Sequence, residues 1–177
     1  MVRVFNVISF TSVLTLVGVI IWASDKGIDF SDESYYLLGY LFPDEVRWES
    51  RYYQHIILKF FGFIDITVVN LRLLRLVLTL FSGLFLAGCF INWITIQFHQ
   101  NFKNGILNKI NITCTIVLGS LLSYIYVPQT LSYNSISLIL LQLLSGLLLL
   151  KLSIGLRNGL KRQLIISVII GFMAAIL

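Results

Sequence analysis

Charge is scarce in this chain. Asp, Glu, Lys and Arg together make 12% of its 177 residues, where a water-soluble domain carries roughly a quarter. So few charges cannot cover a water-facing surface of this size, which excludes a soluble globular protein, a disordered chain and a nucleic-acid module together. Cysteine is nearly absent as well. Cys89 and Cys114 are the two present, both inside apolar runs, so neither a disulfide framework nor a cysteine-based zinc site can be built. Carboxylates are missing from most of the chain, all eight falling between Asp25 and Asp65. The net charge of +5 does not point to nucleic acid, because the basic residues are neither clustered nor interleaved with polar loops as a phosphate-binding face requires.

What is present is hydrophobic: 58% of the residues are apolar or aromatic and the mean hydropathy is +0.90. Most of the chain is therefore expected to be solvated by lipid. Residues 4–23 form a charge-free run of twenty, long enough at 1.5 Å per residue to cross a hydrocarbon core of about 30 Å. Its length exceeds the roughly 7–15 residues of a signal-peptide core, and no polar stretch precedes Ala23, so it reads as a retained anchor. Further runs at 76–98, 110–127, 136–150 (extended to 132–150 by uncharged residues) and 163–177 give about five spans. The predicted fold is an all-α polytopic transmembrane helix bundle, residues 1–177 forming one membrane domain. The last run stops without a polar flank, and the chain reads as the N-terminal fragment of a larger bundle, with a missing C-terminal portion or a partner subunit to complete it.

The connecting segments give an orientation. With a cytoplasmic N-terminus, the inner segments hold Arg3, Lys103, Lys109, Lys151, Arg157, Lys161 and Arg162 and no acidic residue, as the positive-inside rule requires. Segment 128–135 has no charge and is predicted outside, as is the long loop 24–72 that gathers the carboxylates. The expected location is the cytoplasmic (plasma) membrane.

Within that loop, Ser31 suits a helix N-cap, Asp32 and Glu33 fill a first turn where the helix dipole favours anions, and Pro43 stops the helix after Phe42. A second helix is predicted from Pro43-Asp44-Glu45. In it Trp48, Tyr52, Ile56, Phe60 and Phe63 recur along one face beside Arg47, Arg51 and Lys59. Both helices have the composition of interfacial helices, whose basic groups meet lipid phosphates while the aromatic ones sink. Gly62 ends the second, and Asp65 is expected to cap a further helix carrying Arg72 and Arg75 on one face into the second span. Taken alone, Asp32 and Glu33 are a dipole-stabilised first turn, and Arg72 and Arg75 reach outer headgroups.

The arrangement of span, acidic pair, two interfacial helices and span resembles the N-terminal part of the GT-C class of integral membrane glycosyltransferases. It resembles in particular the family 39 and aminoarabinose-transferase-like groups. The resemblance rests on Gly27-Ile28-Asp29-Phe30-Ser31-Asp32-Glu33-Ser34-Tyr35-Tyr36, on 51–63 with His55, on Asn70-Leu71-Arg72-Leu73-Leu74-Arg75 and on Tyr133-Asn134-Ser135. It implies an enzyme that transfers a sugar from a polyprenyl-phosphate-linked donor to an extracytoplasmic acceptor, with Asp32 as the catalytic carboxylate and Glu33 as its neighbour. In an inverting transfer the carboxylate removes the acceptor proton while the opposite face of the sugar loses its phosphate. Cationic groups or a divalent cation meet the departing phosphate. Arg51, Arg72 and Arg75 are the candidates, and any metal would rest on the first loop alone, since 128–135 holds no carboxylate. The competing reading is a non-catalytic polytopic protein, such as a lipid-carrier flippase or an accessory subunit. Its spans carry only mild polar residues that ordinarily serve helix packing.

Overall fold

A computed structural model describes residues 2–27, 32–42, 52–98, 105–126, 130–155 and 160–176. Every described element is a helix: α1 Val2–Ala23, α2 Asp32–Leu41, α3 Tyr52–Phe61, α4 Val68–Gln97, α5 Ile106–Leu121, α6 Ser123–Tyr126, α7 Tyr133–Gly155 and α8 Leu160–Ile176. Three of these contain stretches long and apolar enough to cross a membrane, Val4–Ala23, Val68–Gln97 and Tyr133–Ser153. The remaining apolar runs form α5 and α8, of 16 and 17 residues, somewhat less than the roughly 20 that a bilayer core calls for. The described residues thus have the architecture of an all-helical membrane protein.

The helices are ordered about α4. It packs along both α5 and α7, while α1 joins α5 and α8 joins α7. Burial follows that order: 44% of the α4 span lies inside the molecule against 6% for α1. Small and polar side chains let the central helices approach. A Cβ on Gly83 would lie 2.7 Å from Ser120 Oγ of α5, and one on Gly146 of α7 would lie 2.7 Å from Phe85 Cε1 of α4. Ser82 Oγ donates to Gln142 Oε1 at 2.6 Å, and Ser9 Oγ donates to Asn111 Oδ1 at 2.8 Å across the α1–α5 seam. Such contacts replace the hydrophobic drive that lipid does not supply between helices.

Two apolar clusters fix the end of the bundle that carries α2 and α3, called here the loop end. Leu76, Val117 and Leu121 gather Val13, Leu16, Val17 and Ile20 of α1. Leu74, Leu131 and Ile139 gather Ile57, Phe61 and Ile64 from α3 and the turn after it. The helix ends follow local chemistry. α3 stops just before Gly62, as the sequence suggests. The start of α4 departs from expectation: Thr67, not Asp65, is its N-cap, in extended backbone with its side chain accepting from Asn70 N at 3.2 Å. Asp65 contributes only its carbonyl, which accepts from Asn70 Nδ2 at 2.8 Å. At α7, Ser132 and Ser135 exchange hydrogen bonds, Ser132 N donating to Ser135 Oγ at 2.8 Å and Ser135 N to Ser132 Oγ at 3.3 Å. This is a serine version of a capping box. The expected Ser31 cap and the Pro43-Asp44-Glu45 helix start lie outside the described residues.

Candidate functional site

Helix α2 buries one face and exposes the other. Glu33, Tyr36 and Tyr40 are buried at spacings of three and four, while Leu38 and Leu41 are exposed, as expected for a short helix lying on a bundle. Tyr40 Oη donates to the Leu131 carbonyl at 3.0 Å, which ties α2 to the residues before α7. Gln54 Nε2 of α3 donates to the Tyr36 carbonyl at 3.4 Å. Helix α3 turns Ile57 and Phe61 inward and leaves Ile56, Phe60 and the following Phe63 51%, 70% and 81% exposed. The predicted aromatic stripe thus faces away from the bundle in its described part, with Lys59 exposed beside it.

The second turn of α4 brings Arg72 beneath α2. Glu33 is 1% exposed and Arg72 4%, and the guanidinium grips the carboxylate in a two-pronged pair. Nε donates to Oε1 at 3.1 Å, and Nη2 to Oε2. The same guanidinium caps the C-terminal end of α1: Nη1 donates to the carbonyls of Ser24 at 2.9 Å and Lys26 at 3.1 Å, with Ala23 O at 3.5 Å, and Nη2 donates to Gly27 O at 2.9 Å. A cation there answers the negative end of the helix dipole and the carbonyls the helix leaves unsatisfied. Gly27 is in the left-handed region at φ 61°, a conformation that glycine adopts without a Cβ penalty, and that turn presents its carbonyl to Arg72.

One turn further along α4, Arg75 is fully buried. Its guanidinium carbon lies 4.0 Å from the centre of the Tyr124 ring, and Nη2 donates to Ser123 O at 3.0 Å. A cation over an aromatic face is favourable, and more so when desolvated. Glu33, Arg72 and Arg75 thus form a buried group with one carboxylate and two guanidiniums, set where α1, α2, α4 and α6 converge. At its rim the exposed Asp25 carboxyl is held below the usual carboxylate range by Lys26 Nζ, which donates to it at 2.9 Å. Burial pushes the Tyr35 phenol up.

Of the sequence candidates, the structure brings together Glu33, Arg72 and Arg75. Asp32 is the first residue of α2, directly before the locked Glu33; its carboxylate lies outside the described atoms. Arg51 also lies outside the described residues. Among the described residues, no three His, Cys, Asp or Glu side chains lie together where they could hold a metal ion. Tyr40, Tyr124 and the carbonyls at 24–27 belong to the site but carry no sequence signal of their own. Tyr36 lies beside Tyr133, with ring centres 6.3 Å apart and planes tilted by 58°, a second tie between α2 and the start of α7. Comparison with known proteins finds no family model, curated protein or solved structure that matches this chain.

Proposed function

We propose that this chain is a membrane glycosyltransferase module that moves a sugar from a polyprenyl-phosphate donor to an acceptor on the extracytoplasmic side. The observation that carries the reading is the acidic start of α2, whose second residue, Glu33, is anchored by Arg72 to the end of α1 and to α4. In the reaction, Asp32 accepts the proton of the acceptor hydroxyl, the acceptor oxygen bonds to the anomeric carbon, and the bond from that carbon to the phosphate oxygen breaks. The electron pair leaves on the phosphate. Arg51 meets that phosphate directly, and the buried group of one carboxylate and two guanidiniums adds positive potential from beneath, where low dielectric strengthens it. The reading carries five spans with the N-terminus cytoplasmic, in keeping with the basic inner segments, and α2 and α3 lie in the interface. The outward Ile56, Phe60 and Phe63 with Lys59 support that placement.

The test is transfer of a radiolabelled hexose from undecaprenyl or dolichyl phosphate by the full chain in nanodiscs, compared with Asp32→Asn. We expect turnover by the wild type and loss of at least a hundredfold in the variant, with insertion unchanged, in line with the usual contribution of a general base. Equal turnover in the variant would remove Asp32 from the mechanism. The second reading is a non-catalytic polytopic protein, such as a lipid-carrier flippase or an accessory subunit, and the near-complete burial of Glu33, Arg72 and Arg75 supports it, because a buried ionic group of this kind also serves structure. Binding of the labelled donor without any transfer would select it.

A further inference from the structure

Arg72 has five N–H donors, and the chain supplies acceptors for all of them. Nε takes Glu33 Oε1; Nη1 takes Ser24 O and Lys26 O; Nη2 takes Gly27 O and Glu33 Oε2. A guanidinium engaged in this way has no donor left for a phosphate oxygen, and at 4% exposure it presents no face to one. Its acceptors come from two segments separated in sequence by the residues between Gly27 and Asp32: the carbonyl end of α1 and the first turn of α2. We infer that Arg72 is a positioning residue, a clamp that fixes where residue 32 stands relative to the end of the first span, and not a ligand of the donor phosphate. This inference rests on the proposed transfer for its catalytic meaning, although the clamp itself does not.

The geometry explains why arginine is needed. A planar fork with five fixed donors satisfies a carboxylate bidentately and a row of carbonyls at once, whereas a lysine ammonium has three donors at a single point. Arg72→Lys keeps the charge and loses the fork. The carbonyls at 24–27 and the Glu33 carboxylate then cannot all be served, and the start of α2 separates from the end of α1.

Two readouts on the full chain in nanodiscs test this. The first is the rate at which a membrane-impermeant maleimide labels a cysteine introduced as Asp32→Cys, in the wild-type and Arg72→Lys backgrounds. We expect labelling to quicken at least fivefold in the Lys background, and a like change with Glu33→Gln, which breaks the same clamp from its other side. Unchanged labelling in both overturns the clamp. The second is the kinetics of hexose transfer from polyprenyl phosphate. A positioning residue predicts that Arg72→Lys lowers kcat tenfold or more with KM for the donor held within twofold. A KM rise with kcat preserved would make Arg72 a phosphate ligand and overturn the inference. If the wild type transfers no hexose while labelling responds as expected, the clamp stands and the glycosyltransferase reading fails.

Discussion

At the residue scale, the chain concentrates its polar investment in a few buried side chains, and their partners decide what each substitution does. Glu33 has its carboxylate buried against Arg72. Removing one partner of a buried pair leaves an uncompensated charge, which typically destabilises by about 3–5 kcal/mol. Asn6 presents the opposite case. It is 7% exposed on α1, of whose span only 6% is buried, and neither amide atom has a partner among the described residues. An unsatisfied buried amide costs about 1–3 kcal/mol, so Asn6→Leu, close to it in volume, is expected to raise resistance to unfolding. The change would be read as a higher midpoint on titration with sodium dodecyl sulfate. A lowered midpoint would mean that Asn6 has a role in the α1–α5 seam that the hydrogen bonds do not reveal.

At the element scale, helix ends and close approaches carry the testable content. Thr67→Ala removes the N-cap of the central helix and should cost about 1 kcal/mol, whereas Asp65→Ala, which leaves the Asp65 carbonyl in place, should be near neutral. The same detergent titration separates the two. At the α4–α5 contact, Gly83→Leu forces a side chain against Ser120 and Val117; overpacking of this kind costs about 1–3 kcal/mol. Ser120→Gly in the same chain should recover part of that loss, and no recovery would put the strain elsewhere. Helix α3 is tested by its outward face. Phe60→Trp in vesicles should emit with a blue shift and be quenched by lipids brominated near the headgroup, as an interfacial helix requires. Emission at the wavelength of water-exposed tryptophan would contradict the placement.

Much of this scale could be read from the residues. Long charge-free runs marked the apolar helices, Gly62 the end of α3, and the four-residue spacing of Ile56 and Phe60 their common face on α3. The start of α4 could not be read, because Asp65 and Thr67 are both good caps by type and only the backbone conformation at Thr67 selects between them. Nor could the clamp. Arg72 and Arg75 are visible as a same-face pair, but Glu33 lies 39 positions away, and the acceptors at 24–27 are carbonyls, which every residue has. A contact made through the main chain leaves no mark on the side-chain pattern.

For the whole molecule, the helix order around α4 places α1 and α8 at the periphery and the buried cluster at one end. The sequence is asymmetric in the same sense: all eight carboxylates lie in 25–65, the stretch that contains α2 and α3, while the segments expected inside hold basic residues and no acidic one. The expected orientation puts the loop end outside. Leu41→Cys should therefore react in intact cells with an impermeant maleimide, and Phe98→Cys, at the opposite end of α4, only after the membrane is opened; both positions are exposed in the molecule. The reverse pattern would invert the topology and with it the side on which any transfer takes place.

Whether Glu33 and Arg72 hold that end together as one unit can be measured without knowing a substrate. A double-mutant cycle of Glu33→Gln and Arg72→Gln, followed by unfolding of the full chain in mixed micelles, reads their coupling directly. The buried two-pronged pair predicts that each single substitution destabilises strongly and that the double variant falls well short of their sum, by about 1–3 kcal/mol. Effects that add to within about 0.5 kcal/mol would mean that the two side chains act independently, and the clamp between the end of α1 and the start of α2 would have to be abandoned.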